Sequence, residues 1–353
     1  MDAVAARLNS LRDKGESHRF ALVYGRGWGA SCAGLQGTFG KLYGSPNVAI
    51  GHSSMCSDGS IKSKQATDGN GSYSAYDYKN SNMLLMFGVG FLEAFRPYNN
   101  NMQVWGYIRG VKVPKTRITA GGVPMNTTPA GGDRGVLIKP GTDGALALAI
   151  AHVILTEGLW EKSFVGDFKD GVNRFKTGQP VDPDDFEEKW VKGLVEWWNI
   201  ELKDRTPTWA AGITTLNERD ILATAREFGG TRPAIALFER GVHAHSNGIL
   251  NGMAVHSLNA LVGSFFAKGG LMYQMGPSYG DLPVNADDYL DDYARNGPWK
   301  NQPRIDLKGH EDGYLLANNM LQELGPNSLA GKSYKLDTIL FYLSNPIWTA
   351  PNG

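Results

Sequence analysis

Short apolar runs that end in glycines or polar turns recur along the chain, and they constrain its fold more than any other feature. FALVY (residues 20–24) is followed by GRGWG, and LLMF (84–87) is followed by GVG. PAIALF (233–238) leads into RGVHAHSNG, and TILFYL (338–343) leads into SNP. Such runs are typical of buried strands that enter tight turns. The pattern predicts parallel strands whose carboxyl ends carry ligand-binding loops.

Helical patterns alternate with these strands. DGALALAIAHVILTEG (143–158) has the apolar periodicity of a buried helix, with Thr142 and Asp143 as its expected cap. NGMAVHSLNALVGSFF (251–266) predicts a second one, and DDFEEKWVKGLVEWWNIEL (184–202) predicts a helix in an outer layer. The alternation of strands and helices favours an α/β fold on parallel sheets. Three tryptophans of the outer layer are expected in the core: Trp190, Trp197 and Trp198.

Composition excludes several classes of function. Lys plus Arg and Asp plus Glu each total 35, so no net charge would attract nucleic acid or an anionic membrane. No apolar run approaches the ~20 residues of a membrane span, and the first residues resemble an amphipathic helix rather than a signal peptide. A chain of 353 residues is expected to fold as one large discontinuous α/β unit or as two domains.

The two cysteines, Cys32 and Cys56, fit no metal-cluster spacing. A disulfide framework, a structural zinc site and an iron–sulfur site are therefore not expected within this chain. Cys56 lies in a Ser/Gly-rich loop, where a thiolate could serve as a soft metal ligand, although a lone cysteine is more often a small packing residue. Cys32 is assigned to packing.

Three segments resemble a known family: GHSSMCSDGS (51–60), TDGNGSYSAYDYKNSNMLLMFGVGFLEAFRPYNNNMQVW (67–105) and KPGTDGALALAIAHVILTEGLW (139–160). On these segments the chain is identified as a member of the dimethyl-sulfoxide-reductase family of molybdenum oxidoreductases. The first two resemble the arsenic branch, which comprises respiratory arsenate reductases and anaerobic arsenite oxidases. The turn GRGWG (25–29) is similar to the form found in the arsenite oxidases.

The resemblance implies oxygen-atom transfer that oxidises arsenite to arsenate, with a molybdenum bis(molybdopterin guanine dinucleotide) cofactor. Arsenate reduction and a catalytically silent cofactor-binding fragment remain the alternatives. The resemblance also implies a periplasmic location and an iron–sulfur electron-transfer partner subunit. It identifies the chain as a fragment without the family's N-terminal iron–sulfur domain and C-terminal domain. Gly122 and Pro124 depart from the family pattern, where an acidic side chain is expected to hold the nucleotide.

The fold that the resemblance implies is doubly wound, with two Rossmann-like lobes that bind the pterin nucleotides. Residues 1–51 and 275–353 would form a discontinuous first domain. Residues 52–274 would form an inserted second domain that carries the metal-ligand loop.

The resemblance assigns Cys56 as the metal ligand. Its expected catalytic residues, for binding the oxyanion and walling the pocket, are Arg26, Trp28, His52, Lys62 and Tyr73. Its expected cofactor-binding residues are Gly88, Gly90, Glu93, Asn100, Lys139, Gly141, Thr142, Asp143, His245, Asn247 and Asn345.

For most of these residues a structural role is an open alternative. Asn99, Asn100 and Asn101 are expected to precede a helix, and capping of its backbone N–H groups would explain them. Turn chemistry alone would likewise explain Lys139 and Asn247.

Overall fold

The chain divides into two compact units. The computed structural model describes residues 1–25, 38–51, 55–121, 132–275, 286–307 and 319–350. Unit 1 comprises Met1–Asp58 and Pro277–Gly353, and unit 2 comprises Gly59–Gly276.

The strands are numbered in chain order. They are β1 (Phe20–Tyr24), β2 (Asn47–Ile50), β3 (Ser74–Tyr76), β4 (Met83–Phe87), β5 (Arg117–Gly121), β6 (Arg134–Val136), β7 (Gly166–Phe168), β8 (Phe186–Glu188), β9 (Ala234–Phe238), β10 (Leu271–Tyr273) and β11 (Thr338–Tyr342).

The α-helices are numbered in the same way. They are α1 (Asp2–Asp13), α2 (Phe39–Tyr43), α3 (Asp58–Asp68), α4 (Tyr98–Gly106), α5 (Asp143–Thr156), α6 (Lys162–Val165), α7 (Leu194–Ile200), α8 (Pro207–Thr214), α9 (Glu218–Gly230), α10 (Arg240–His243), α11 (Gly248–Leu261), α12 (Asp292–Asn296), α13 (Leu321–Ala330) and α14 (Pro346–Thr349). A π-helical turn, Tyr107–Val111, extends α4. Within the described ranges, no helix is both long and apolar enough to cross a membrane.

Unit 1 is built on a parallel sheet with the strand order β11–β1–β2. Alternate residues of β1 enter two different cores. Phe20 and Leu22 pack with α1 on one face, while Val23 packs with Ile50 and Leu321 on the other. A strand buried on both faces reads as a continuous apolar run, which explains why FALVY was detectable from sequence.

The unit boundaries differ from the expected ones. The sequence predicts boundaries after residues 51 and 274, whereas the structure has them after Asp58 and Gly276. The reason is that Met55 packs against the core of unit 1 that contains Val23 and Ile50. Cys56 therefore lies in unit 1 and not in the inserted unit.

Unit 2 is built on a four-stranded parallel sheet with the order β6–β5–β4–β9. Met83 and Phe87 of β4 belong to a large core with the helices α5, α9 and α11. Leu84 and Met86 face the opposite core, which contains residues of α4. Both faces of the sheet are covered, so the predicted doubly wound α/β architecture is confirmed.

The outer section of unit 2 departs from the predicted helix over residues 184–202. Residues Phe186–Glu188 form β8, which pairs antiparallel with β7, and α7 begins only at Leu194 after Gly193 with φ +80°. Trp198 is fully buried as expected, but Trp190 is 78% exposed. The alternating polar residues of the strand pair interrupt the helical periodicity that the pattern suggested.

Candidate functional site

Two glycines bring the loops after β4 and β9 of unit 2 into contact. A Cβ on Gly88 would lie 2.8 Å from the Cα of Gly241, and one on Gly241 would lie 2.5 Å from the carbonyl oxygen of Gly88. Gly88 also has a φ of +55°, a conformation that side chains other than glycine rarely adopt. The two loops therefore meet backbone to backbone at this point of the sheet's carboxyl edge.

Two hydrogen bonds hold the loop that precedes α5, one to the end of α8 and one within the loop. The backbone N–H of Lys139 donates to the carbonyl oxygen of Thr214 at 3.0 Å. The hydroxyl of Thr142 donates to the carbonyl oxygen of Lys139 at 2.6 Å. The expected capping role of Thr142 is wrong in its side-chain part, because the hydroxyl turns back to Lys139 and makes no cap hydrogen bond to the helix.

Asparagine side chains join this loop to the start of α11. The amide nitrogen of Asn251 donates to the carbonyl oxygen of Gly141 at 3.1 Å, and that of Asn247 donates to Asn251 Oδ1 at 3.0 Å. The imidazole of His245 lies beside Gly141, because a Cβ added to Gly141 would be 3.2 Å from Nδ1 of His245. The structure thus places the predicted residues Gly141, His245 and Asn247 together.

Asn251 was missed from the sequence, because it lies inside a helix whose pattern is that of core packing. The available signal was its spacing of four residues from Asn247, which places both amides on one helix face. Asn251 leaves no room for a side chain at the neighbouring Gly144, since a Cβ there would be 2.3 Å from Asn251 Oδ1.

The joined loops form the polar end of a cavity of about 950 Å³ within unit 2. This end is formed by Gly141, Thr142, Asn247 and Asn251. The rest of the lining combines aromatic residues with charged ones. The aromatic residues include Trp190, Trp197, Trp209, Phe265 and Phe266, and the titratable ones include Asp68, Lys192, Glu201 and His256. A cavity of this size that combines apolar walls with polar groups is typical of small-molecule sites.

Asp143 is a buried carboxylate at the first position of α5, directly after this polar end. The residue Asp143 is only 3% exposed to solvent. Burial raises the pKa of its carboxyl group to about 6, against the opposing effects of a hydrogen bond from its own backbone and the nearby His245. Hydrogen bonds from the N–H groups of a ligand would favour the charged form of this carboxyl group.

The turn after β4 contains predicted residues with less distinctive surroundings. The backbone N–H of Glu93 donates to the carbonyl oxygen of Gly90 at 3.1 Å, and the side chain of Glu93 is exposed. Asn100 is also exposed, on the first turn of α4.

The three asparagines at 99–101 lie inside α4 and not before it. Pro97 is the N-cap, so the helix begins at Tyr98. The capping interpretation is therefore wrong. Asn101 is instead buried, and its amide nitrogen donates to the carbonyl oxygen of Phe95 at 2.7 Å.

Lys62 and Tyr73, both predicted to bind the oxyanion, make contacts within unit 2. The ammonium of Lys62 donates to Gln65 Oε1 at 2.9 Å. The hydroxyl of Tyr73 accepts a hydrogen bond from Arg96 Nη2 at 3.1 Å, and the guanidinium carbon lies 5.4 Å from the centre of the Tyr73 ring. Arg96 was not predicted, because nothing in its local sequence relates it to Tyr73.

Unit 1 presents its own carboxyl edge, where Gly25, Gly51 and Asn345 follow β1, β2 and β11. The N–H of Gly25 donates to the carbonyl oxygen of Tyr342 at 2.8 Å, and that of Gly51 donates to Asn319 Oδ1 at 3.2 Å. Asn345 is exposed, and its carbonyl oxygen accepts from the Thr349 hydroxyl at 2.8 Å.

Cys56 lies just before α3 and is partly buried. The other predicted residues of unit 1, Arg26, Trp28 and His52, lie outside the described residues. The same holds for Cys32 and for the departures at Gly122 and Pro124.

The chain is similar to known molybdopterin-containing subunits. It is 39% identical over 310 residues to the arsenate respiratory reductase molybdopterin-containing subunit ArrA of Chrysiogenes arsenatis, covering 87% of this chain and 35% of that subunit. It is 34% identical over 361 residues to the subunit of the same name from Shewanella sp. (strain ANA-3), covering 100% of this chain and 41% of that subunit. The chain thus spans well under half the length of both relatives.

More distant similarities point in the same direction. The probable dimethyl sulfoxide reductase chain YnfF of Escherichia coli (strain K12) is 30% identical over 245 residues, which cover 68% of this chain and 28% of YnfF. Acetylene hydratase from Pelobacter acetylenicus matches in structure with a TM-score of 0.64 and 19% identity, covering 98% of this chain and 46% of that one. At that identity the likeness shows the fold alone. No protein-family model matches the chain.

Proposed function

Because the chain belongs to the dimethyl sulfoxide reductase family, in its arsenic branch, we propose that it is the cofactor-binding part of a molybdenum oxidoreductase that acts on an arsenic oxyanion. The observation that carries the proposal is the pair of loops joined by Asn251 and Gly141 beside the buried Asp143. These loops follow strand ends of the sheet, where doubly wound folds bind nucleotides.

The residues present fit the pterin guanine dinucleotide that the family resemblance implies. Burial raises the pKa of the Asp143 carboxyl group to about 6, and a guanine edge offers an N–H and an amino group from which one carboxylate can accept two hydrogen bonds together. Gly88 and Gly241 bring the loops after β4 and β9 into backbone contact at the carboxyl edge of the sheet, where doubly wound folds bind nucleotides. Asn247, His245 and Lys139 would provide further polar contacts to the nucleotide.

When bound, the molybdenum centre supplies the two-electron oxygen-atom transfer. Cys56 would provide a soft thiolate ligand to the metal. Tyr73, with its hydroxyl held by Arg96, and Lys62 would hold the oxyanion by hydrogen bonds from a hydroxyl and an ammonium group. Arg26, Trp28 and His52 are proposed as further substrate-binding residues on the basis of the family resemblance alone.

We favour arsenate reduction as the direction of the reaction. The two relatives with 39% and 34% identity are arsenate respiratory reductases, and they align with most or all of this chain. Arsenite oxidation, which the sequence predicts from the turn GRGWG, is retained as the second candidate because of Arg26 and Trp28 within that turn.

The test uses the full-length parent protein, produced under conditions that supply the cofactor. Molybdenum is measured per polypeptide, and turnover is measured in both directions, with arsenate and a reduced dye or with arsenite and an oxidised dye. Bound molybdenum with faster arsenate reduction would support the proposal. Faster arsenite oxidation would reverse the direction. Absence of molybdenum and pterin would instead favour a catalytically silent cofactor-binding protein.

An iron–sulfur partner subunit and a periplasmic location are part of the same proposal. Both are supported only by the family resemblance. Co-purification of a second, iron-containing subunit with the full-length protein would test the first, and fractionation of the source cells would test the second.

A further inference from the structure

A buried polar cluster lies beside the carboxyl end of β9, and no predicted site residue belongs to it. Ser60 and Lys64 come from α3, while Glu239 and His243 come from the segment that follows β9. Lys64 is only 1% exposed, and Ser60 is fully buried. Burying this many polar groups together is unfavourable unless they have partners.

Lys64 has no such partner among the residues that the structure describes. Its ammonium nitrogen makes no hydrogen bond or ion pair there, and it lies 5.4 Å from the centre of the Phe238 ring. Contact with an aromatic face compensates only in part for the lost hydration of an ammonium group. The described part of the site therefore offers no hydrogen-bond acceptor within reach of the Lys64 ammonium group.

His243 and Glu239 complete the cluster. Nε2 of His243 is buried without a hydrogen-bond partner in the described part of the chain, and the ring packs on Gly59, where a Cβ would be 2.4 Å from Nδ1. Burial lowers the pKa of His243 to about 4, so its imidazole is neutral at pH 7. Glu239 accepts a hydrogen bond from the Ser60 hydroxyl at 3.3 Å, and burial raises the pKa of its carboxyl group despite the nearby Lys64.

We propose that Lys64, Glu239 and His243 bind the 2-amino-4-oxopyrimidine edge that pterin and guanine share. This edge presents a carbonyl acceptor next to N–H and amino donors. Lys64 would donate to the carbonyl, Glu239 would accept from the donors, and His243 Nε2 would contact a remaining ring nitrogen. The proposal rests on the proposed function, because it assigns further recognition residues for the same class of cofactor.

The chemistry of the cluster favours this edge over a simple oxyanion. An oxyanion offers acceptors alone, so it could satisfy Lys64 but would face the carboxylate of Glu239 with like charge. A ligand edge with both donors and an acceptor satisfies both groups at once. That complementarity would explain why the chain keeps an unpaired lysine where a hydrophobic residue would pack at lower cost.

The experiment measures equilibrium binding of free pterin and of guanosine to the chain, with Lys64→Met and Glu239→Gln as variants. Each variant is expected to weaken binding at least tenfold, since one hydrogen bond to a charged group is lost. Lumazine, which has an oxo group in place of the amino group, should bind more weakly than pterin to the unmodified chain. The occupant of the site is the heterocycle whose binding is weakened by Lys64→Met and Glu239→Gln but not by Asp143→Asn, because guanosine bound beside Asp143 would respond to the latter substitution.

Urea unfolding of the ligand-free variants separates a binding role of Lys64 from a structural one. Replacement of a structural lysine would lower the free energy of unfolding. Lys64→Met should be as stable as the unmodified chain or more stable, because it removes an unpaired buried charge. The exposed residues Lys79 and Glu187 provide matched controls, and Lys79→Met and Glu187→Gln should leave binding unchanged.

Several results would overturn the inference: no binding of either probe, unchanged affinity in both variants, or a loss of stability in Lys64→Met that accompanies the loss of binding. Molybdenum content and turnover of the full-length protein test the proposed function separately. Normal binding of pterin without molybdenum would reject the proposed function alone. Full molybdenum content with unaltered binding in the variants would reject the inference alone.

Discussion

The side-chain amide of Asn251 donates a hydrogen bond to the carbonyl oxygen of Gly141 at 3.1 Å. This contact joins the loop that leads into α5 to the first turns of α11, which lies far from that loop in sequence. Asn247 reinforces the junction by donating to Asn251 Oδ1 at 3.0 Å. The polar end of the cavity therefore depends on a residue inside a helix.

Replacing Asn251 with alanine should loosen this junction. The carbonyl oxygen of Gly141 and the amide of Asn247 would each lose a partner, so we expect a loss of about 1–2 kcal/mol in the free energy of unfolding. We also expect weaker binding of guanine nucleotides. Urea unfolding and nucleotide titration measure the two effects. Ser257→Ala is the control on the same helix, since among the described residues its hydroxyl donates to the helix backbone, at the carbonyl oxygen of Met253. Equal effects of both substitutions would contradict the assigned role.

Asp143→Asn should change how stability depends on pH in the ligand-free chain. The pKa of Asp143 is raised by burial to about 6, above the ~3.9 of an unfolded chain, so the folded state binds this proton more tightly. The resulting stabilisation is fully present below about pH 4 and is lost as pH rises through about 6. Asparagine does not titrate.

The stability of Asp143→Asn relative to the unmodified chain should therefore increase between pH 4 and pH 7, by up to about 3 kcal/mol. Chemical unfolding at a series of pH values gives this difference directly. A difference that stays constant with pH would mean that Asp143 is not buried as a destabilised carboxylate. The same variant should bind guanosine more weakly, because an amide cannot replace a carboxylate that accepts two hydrogen bonds.

Gly241→Ala should destabilise unit 2. Its new Cβ would lie 2.5 Å from the carbonyl oxygen of Gly88, and a backbone atom cannot move away as a flexible side chain would. Overpacking of this kind typically costs about 1–3 kcal/mol. Gly110→Ala is the matched control, because a Cβ there meets nothing within 4 Å. Thermal unfolding should show a lower midpoint for Gly241→Ala only.

Cys56→Ala should abolish molybdenum-dependent turnover in the full-length protein, while Cys32→Ala should leave most of it. Only a thiolate that binds the metal changes the coordination of that metal, whereas loss of a packing cysteine costs about 1 kcal/mol of stability. The measurement is turnover together with molybdenum content. Equal losses in the two variants would remove the ligand assignment from Cys56.

Tyr73→Phe should lower turnover per bound molybdenum without reducing the amount of molybdenum. The variant lacks the hydroxyl that Arg96 holds at 3.1 Å, and loss of a donor to developing charge on an oxyanion costs roughly 100-fold in rate at enzyme sites. Tyr98→Phe, at an exposed position on α4, is the control. Unchanged turnover in Tyr73→Phe would exclude Tyr73 from the oxyanion pocket.

The parts of the fold that could be predicted are those with a local signal. β1, β4 and β9 are apolar runs that end where the pattern predicts, and α5 follows its apolar periodicity. β11 ends one residue earlier than predicted, at Tyr342, and its three central residues are exposed and not buried. The strand pair β7–β8 was missed because its short strands are half exposed and resemble polar helix surface. Met55 packs against the unit 1 core, which is a long-range contact that no local pattern reveals.

By itself, the sequence determined the α/β class, the family, and the loops Gly88–Gly90 and Lys139–Asp143 as candidate binding segments. Strand periodicity, glycine turns and family segments are local properties, so they can be recognised without coordinates. Only the tertiary structure decided that Asn251 holds Gly141, that Arg96 holds Tyr73, and that Lys64 is buried without a hydrogen-bond partner among the described residues. These relationships depend on the strand register and on which helices pack together, because burial and hydrogen bonding are set by neighbours in space and not by neighbours in sequence.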